Sequence, residues 1–98
     1  MSKIDKILQL GCIVCRNDLG TFTPAQFHHI HGPDKRRIGP DVGIGLCFPH
    51  HQSGINNTDL VSRHPWKREF EKRYGKEVDL YEQVLKTIGE KNEANYKD

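Results

Sequence analysis

Residues 27–51 read FHHIHGPDKRRIGPDVGIGLCFPHH and contain five of the six histidines of the chain. One of the three cysteines, Cys47, lies in this stretch, and the other two, Cys12 and Cys15, precede it. Histidine is the commonest metal ligand in proteins and the only side chain whose unperturbed pKa lies near neutral pH. A hydrophobic core needs no such density of histidine and cysteine. The stretch therefore indicates metal binding, proton transfer or both.

The composition predicts one small intracellular domain. The chain has 98 residues, of which 35% are hydrophobic, and it contains an odd number of cysteines, three. So small a core usually gains stability from a metal, a disulfide or a partner. The odd cysteine count and the polar N-terminus favour zinc in a reducing compartment over a secreted disulfide framework. We expect a single domain over residues 1–98, cytoplasmic, with no segment that crosses a membrane.

The charge distribution is more informative than the net charge, which is only +2. Lys35, Arg36 and Arg37 stand together in the glycine- and proline-rich part of the central stretch. Such a group is either a solvated loop or a set of contacts with DNA phosphates. Both interpretations remain open at the level of sequence.

The N-terminal half is predicted to contain a helix, a metal-binding turn and a strand. Ser2 as N-cap and Gly11 as terminator bound a short amphipathic helix. Residues 12–15 resemble a zinc knuckle, and residues 17–20 have the composition of a turn. A strand that carries the first histidines follows. Residues 32–45 then form a loop, and the glycines at its end serve the loop geometry.

The C-terminal half is predicted to contain three helices. Pro49 in a first turn opens a short helix, and a longer helix starts at Pro65 and ends at Gly75. The longer helix has an apolar stripe that we expect in the core, made of Trp66, Phe70 and Tyr74. A last helix spans about residues 79–88, and residues 89–98 fray behind it. Its approximate capping box consists of Asp79 and Glu82.

Two pairs of ligand-type residues predict a structural zinc site. Cys12 and Cys15 form a C-x-x-C pair, and Cys47 and His50 form a C-x-x-H pair. Each spacing lets one turn present two donors to a tetrahedral ion, and the four donors close its coordination sphere. Because the pairs lie far apart in sequence, the ion closes a long loop, and its binding energy becomes folding energy.

The zinc assignment leaves five histidines without a role: His28, His29, His31, His51 and His64. Adjacent residues of a strand point to opposite faces, but at a strand end or a bulge both can reach one site. His28 and His29 can then supply one metal ligand and one free imidazole. His51 follows a zinc ligand on a helical turn and is therefore held near the same place.

The motifs that bear on function follow one another along the chain as Gly11-Cys12-Ile13-Val14-Cys15, Phe22-Thr23-Pro24-Ala25, His28-His29-Ile30-His31-Gly32, Leu46-Cys47-Phe48-Pro49-His50-His51, Ser62-Arg63-His64-Pro65-Trp66-Lys67 and Phe70-Glu71-Lys72-Arg73-Tyr74-Gly75. Their order is similar to that of the zinc-containing HNH nucleases. More narrowly, residues 11–75 resemble the nuclease domain of the phage recombination-enhancement, RecA-dependent nuclease family. The resemblance implies an α+β fold, a small zinc-stabilised ββα-metal (HNH) finger with flanking short helices.

The same resemblance implies a set of catalytic roles. His29 matches the general base that takes a proton from the attacking water. His28 and His51 match the ligands of a single catalytic divalent ion, Mg²⁺ or Mn²⁺, which stabilises charge on the transition state and the leaving 3′ oxygen. The expected products carry 5′-phosphate and 3′-hydroxyl ends. Two imidazole ligands make a softer site than Mg²⁺ prefers.

Several assignments around this site stay open. The loop lacks the asparagine that gives the HNH motif its middle letter, and Asp41 is the nearest polar residue. Gln52 is an alternative ligand to His51. His64 is a further ligand, a phosphate contact or a helix N-cap. His31 fits a supporting role in the turn better than a ligand role, because the ligand positions are already filled.

These observations predict a metal-dependent DNA endonuclease, encoded by a phage or prophage as the resemblance implies. DNA is the expected partner, the family resemblance adds the host RecA filament as a candidate, and the sequence leaves the oligomeric state open. The main alternative is a non-catalytic zinc module that binds DNA or a recombination protein, because such a module needs only the four zinc ligands. A zinc hydrolase of small substrates is a third interpretation, and it requires a pocket that so short a chain hardly provides.

Overall fold

The computed structural model describes residues 2–31, 39 and 41–90. The elements assigned in these residues are α1 (Lys3–Gln9), α2 (Ile13–Leu19), β1 (Gln26–His29), β2 (Gly43–Leu46), α3 (Phe48–Gln52), α4 (Lys67–Tyr74) and α5 (Glu77–Ile88). Strands β1 and β2 pair antiparallel, and helices pack against the ribbon that they form. The protein is thus a small α+β structure, as the sequence predicts.

The first two helices begin at side chains that accept backbone hydrogen bonds. Ser2 Oγ accepts from the N–H of Asp5 at 3.1 Å, which confirms the predicted N-cap of α1. Cys12 Sγ accepts from the N–H of Cys15 at 3.4 Å, so the predicted knuckle is the first turn of α2. The turn predicted at residues 17–20 is wrong, because α2 continues to Leu19 and ends at Gly20 in the left-handed region.

Strand β2 is buried at all four residues, and its glycines lie in the strand rather than in a loop. A Cβ on Gly43 would lie 2.4 Å from the carbonyl oxygen of His28. A Cβ on Gly45 would lie 2.7 Å from the carbonyl oxygen of Gly11. The predicted loop role of these two glycines is therefore wrong, and the physical reason is close approach of neighbouring backbone.

Helix α4 begins at Lys67, two residues later than the sequence predicts. Trp66 is its N-cap residue, so His64 does not have the predicted N-cap role. The indole N–H of Trp66 donates to the carbonyl of Gly54 at 2.9 Å, and the side chain is 37% exposed. The expectation that Trp66 belongs to the core is wrong because it precedes the helix, whereas Phe70 within the helix is fully buried.

Helix α5 begins at Glu77, two residues before the predicted start. Asp79 consequently lies in the first turn and does not cap the helix. The helix ends at Gly89, and Glu90 pairs with Lys6 at 2.8 Å, so this part of the predicted frayed tail is tied to α1. Residues 91–98, the rest of that tail, lie outside the described residues.

The core lies where α1, α2 and α5 pack against β2. Its largest fully buried side chains include Tyr81, Phe70, Ile7, Ile13, Ile30 and Ile44. Full burial of an aliphatic or phenyl side chain of this size stabilises a fold by about 1.5–3 kcal/mol. Within the described residues, no helix has the length and apolar character needed to cross a bilayer.

We expect Gly43→Ala to destabilise the protein more than Gly20→Ala does. The Gly43 methyl would meet backbone at 2.4 Å, so the strands must separate, at a cost of about 3 kcal/mol. The Gly20 methyl would meet nothing within 4 Å, and only the positive φ of 66° costs stability, about 1 kcal/mol. Urea unfolding of the zinc-loaded variants measures both losses, and equal values would contradict the close-approach explanation.

Candidate metal centres

Four buried side chains form the first centre, here called the Cys–His cluster: Cys12, Cys15, Cys47 and His50. The sulfurs of Cys15 and Cys47 are 3.7 Å apart, and His50 Nδ1 lies 3.6 Å from the sulfur of Cys15. Donors around a tetrahedral zinc ion are about 3.5–3.8 Å apart at the usual Zn–S and Zn–N bond lengths. The cluster can therefore hold a metal ion such as zinc.

Local structure explains how each half of the Cys–His cluster forms. Cys12 precedes α2 and Cys15 lies in its first turn, so a single helix start presents two sulfurs. Cys47 precedes α3 and His50 lies within that short helix, which gives the same geometry. His50 is further held by the ring of Tyr74, whose centroid is 5.3 Å away at nearly a right angle.

Burial favours the neutral form of three members of the Cys–His cluster, namely Cys12, Cys47 and His50. It raises the pKa of the Cys12 thiol and raises the pKa of Cys47 to about 12. Burial also lowers the pKa of His50. Zinc binds thiolate and neutral imidazole, so metal binding must displace protons from the thiols while the imidazole is already in its ligating form.

Three histidines form the second centre, here called the His cluster: His28, His51 and His64. One ligand atom from each lies within 4.8 Å of the others. His28 comes from β1, His51 from α3 and His64 from the segment before α4. Backbone hydrogen bonds hold that segment on α3, because the N–H of His64 donates to the carbonyl of His51 at 2.9 Å.

Hydrogen bonds at the outer ring nitrogens orient two of these histidines. His28 Nε2 lies 3.0 Å from a carboxylate oxygen of Glu77. His51 Nδ1 lies 2.9 Å from the side-chain oxygen of Gln26, which also accepts from the amide of Gln52 at 3.2 Å. The inner nitrogens, His28 Nδ1 and His51 Nε2, face each other at 3.2 Å.

This separation suits two ligands of one ion. Nitrogens bound to a common divalent ion at about 2.0–2.2 Å, in tetrahedral or octahedral geometry, are about 3.0–3.4 Å apart. Two bare imidazole lone pairs at 3.2 Å repel each other, so a proton or a cation between them is favoured. The His cluster therefore fits a divalent ion held by imidazole nitrogen.

The electrostatic surroundings keep this centre suited to cations. Burial, with added repulsion from His28, His64 and Arg63, lowers the pKa of His51 to about 4. Burial and Arg63 also lower the pKa of His64. Burial alone raises the pKa of Glu77, but its hydrogen bond and attraction to His28 and its pairing with Arg63 outweigh burial and lower that pKa to about 2. The imidazoles of His51 and His64 are thus neutral, and the carboxylate of Glu77 is ionised.

The other residues expected at the site are placed differently. His29 is the last residue of β1, and its ring packs edge-on against Phe27 at 5.0 Å, on the face opposite His28. Its role as general base stays a prediction. Asp41 lies 3.9 Å from the ammonium of Lys3, and His31 is exposed. The predicted DNA contacts, Lys35, Arg36 and Arg37, lie outside the described residues.

Three supporting residues escaped the sequence analysis: Gln26, Arg63 and Glu77. Glu77 is 49 residues from His28 in sequence, and no ligand spacing links the two. Gln26 belongs to β1 like His28, but its amide contacts a histidine of another element. Hydrophobic periodicity does not reveal a buried carboxylate at the polar start of a helix. The contact between Glu77 and His28 is therefore visible only in the folded structure.

Residues 2–88 match the family model of the recombination enhancement, RecA-dependent nucleases. The chain belongs to this family. The match covers both candidate centres, and the family description indicates a nuclease that acts in recombination with RecA. No curated protein and no solved structure matches the chain.

We expect the affinity of the Cys–His cluster for cobalt or zinc to rise steeply with pH. At least the thiol protons of Cys12 and Cys47 must leave, since burial raises both pKa values. Two released protons change the affinity by about 100-fold per pH unit below the thiol pKa values. Co²⁺ titration between pH 6 and pH 8, followed by thiolate-to-cobalt charge-transfer absorption, measures this dependence.

The charge-transfer band also separates the two centres. Cys47→Ser is expected to remove much of the band and to unfold the protein, because a structural metal contributes about 10–16 kcal/mol of apparent binding energy at neutral pH. His28→Ala should leave the band intact, because the His cluster contains no sulfur. A pH-independent affinity would contradict the neutral state of the metal-free thiols.

Proposed function

We propose that the protein is a metal-dependent DNA endonuclease of the HNH type, with the His cluster as the site of its catalytic divalent ion. The observation that carries the proposal is the pair of inner nitrogens on His28 and His51, 3.2 Å apart with their outer nitrogens hydrogen-bonded elsewhere. Membership of a nuclease family supports phosphodiester hydrolysis as the reaction. His64 is the proposed third ligand. His51 is proposed as a ligand in preference to Gln52, whose amide contacts Gln26.

The arrangement of elements supports the HNH assignment. β1, β2 and α3 follow one another in sequence as two antiparallel strands and a helix, and α3 packs against β1. The Cys–His cluster joins the start of α2 to the start of α3, and we propose zinc as its ion. A helix fixed in this way holds His51 opposite His28, as a ββα-metal finger requires.

The donor set bears on the identity of the catalytic ion. When bound, a divalent ion supplies charge stabilisation at the phosphoryl oxygens and the leaving 3′ oxygen. Imidazole nitrogen suits transition metals, whereas Mg²⁺ favours oxygen ligands and retains water. Between the two ions expected from the sequence, the three histidines favour Mn²⁺ over Mg²⁺. Burial and nearby positive charge lower the pKa of His51 and the pKa of His64, so both imidazoles hold their lone pairs at neutral pH.

His29 is the proposed general base, on the strength of the family resemblance. It follows His28 directly and is the last residue of β1. The proposed role is removal of a proton from the attacking water, which leaves 5′-phosphate and 3′-hydroxyl products. The proposed substrate is DNA, including DNA presented by a RecA filament.

Cleavage assays with matched variants test this function. We expect the zinc-loaded wild type to cut supercoiled plasmid, or the joint between a RecA filament and duplex, in the presence of Mn²⁺. His29→Ala should lose about 100- to 10,000-fold in rate, the usual contribution of a general base. His28→Ala should lose activity through weaker metal binding. Asp79→Asn, at an exposed position of α5, should cut like the wild type.

A non-catalytic zinc module that binds DNA or a recombination protein is the second candidate. The placement of the His29 ring against Phe27, away from the His cluster, favours it over the nuclease. This candidate predicts no cleavage of either substrate with Mn²⁺ or Mg²⁺, and DNA binding that His29→Ala leaves unchanged. Cleavage by the wild type that disappears in His29→Ala excludes it.

A further inference from the structure

Glu77 is a buried carboxylate that begins α5 and reaches into the His cluster. Only 5% of the residue is exposed, yet it lies at a helix start where an acidic side chain would ordinarily face water. Both carboxylate oxygens are used: Oε2 lies 3.0 Å from His28 Nε2, and Oε1 accepts from Nε of Arg63. Burial of an ion pair is a poor source of stability compared with apolar packing, so another role for this group is expected.

The orientation of His28 depends on which of its ring nitrogens carries the proton. A neutral imidazole has one N–H, and an ionised carboxylate can only accept. In a neutral His28 ring, the contact with Glu77 therefore favours the proton on Nε2 and the lone pair on Nδ1. Nδ1 is the atom that faces His51 Nε2 at 3.2 Å. Without Glu77, either nitrogen could carry the proton and the ring could turn over.

Arg63 fixes the carboxylate in turn. Its Nε donates to Glu77, and its backbone N–H donates to the carbonyl of His50 at 2.7 Å. The carboxylate is thereby held relative to α3, the helix that carries His51. One carboxylate thus links the start of α5 to the strand and the helix that supply two of the clustered histidines.

We propose that Glu77 is a positioning residue that holds His28 as the Nε2–H tautomer, with Nδ1 directed at a divalent ion bound by the His cluster. This inference rests on the proposed function and deepens it, because it names the residue that prepares a ligand before the ion binds. Carboxylates behind ligating histidines raise ligand basicity, and their loss typically weakens metal binding by about 10- to 100-fold.

Glu77→Gln and Asp79→Asn make a matched pair of variants. Both residues are the acidic residues in the first turn of α5, so each substitution removes one charge from the same helix end. The two carboxylate oxygens of Glu77 contact His28 and Arg63 separately, whereas an amide would turn its NH2 donor towards one of these two partners. Calorimetric titration of zinc-loaded protein with Mn²⁺ should show about 10- to 100-fold weaker binding in Glu77→Gln and wild-type binding in Asp79→Asn.

The tautomer itself supplies a second readout that needs no activity. Long-range ¹H–¹⁵N spectra of the imidazole rings distinguish protonated from unprotonated nitrogen, and loss of signals in His28→Gln assigns the ring of His28. In the wild type without Mn²⁺ we expect Nε2 protonated and Nδ1 unprotonated. Glu77→Gln should give a mixture of tautomers. Should Glu77→Gln fail to fold, the wild-type spectrum alone decides.

The outcomes separate this inference from the proposed function. Unchanged Mn²⁺ affinity in Glu77→Gln, or an Nδ1–H tautomer of His28 in the wild type, overturns the role of Glu77 even where DNA is cut. A wild type that neither binds Mn²⁺ nor cuts DNA overturns the proposed function, and the tautomer spectra then decide whether Glu77 orients His28.

Discussion

The structure depends first on the convergence of three sulfurs and one imidazole nitrogen in the Cys–His cluster. The cluster joins α2 to α3 across 32 residues, between Cys15 and Cys47. A chain of 98 residues with a small core gains little stability from burial alone, so a metal ion held by these four side chains would contribute much of the stability of the fold. When α3 is fixed relative to α2, the position of the β1–β2 ribbon against which α3 packs is also restricted.

The two centres share helix α3. His50 belongs to the Cys–His cluster and His51 to the His cluster, because successive helical side chains point about 100° apart. The carbonyls of the same two residues accept from the backbone of Arg63 and His64, which brings the third histidine beside the first two. The two clusters thus meet at adjacent residues of one helix, and a shift of α3 would move both of them.

The Cys–His cluster and the His cluster differ in the charged groups that surround them. Burial favours the neutral thiols of Cys12 and Cys47, so binding of a metal to the Cys–His cluster must displace their protons. The guanidinium of Arg63 and the carboxylate of Glu77 form an ion pair at the edge of the His cluster. The ionised carboxylate of Glu77 favours a cation among the imidazoles.

The sequence by itself determined the features that depend on local spacing. The C-x-x-C and C-x-x-H pairs each fit one helix start, Ser2 caps α1, and the order of motifs was sufficient to indicate the nuclease family. Only the tertiary structure decided the contacts between distant elements: Glu77 against His28, Gln26 against His51, and the glycines of β2 against neighbouring backbone. Spacing and periodicity describe which side chains share a turn or a face, whereas these contacts depend on how separate elements pack, and packing has no signature in a short stretch of sequence.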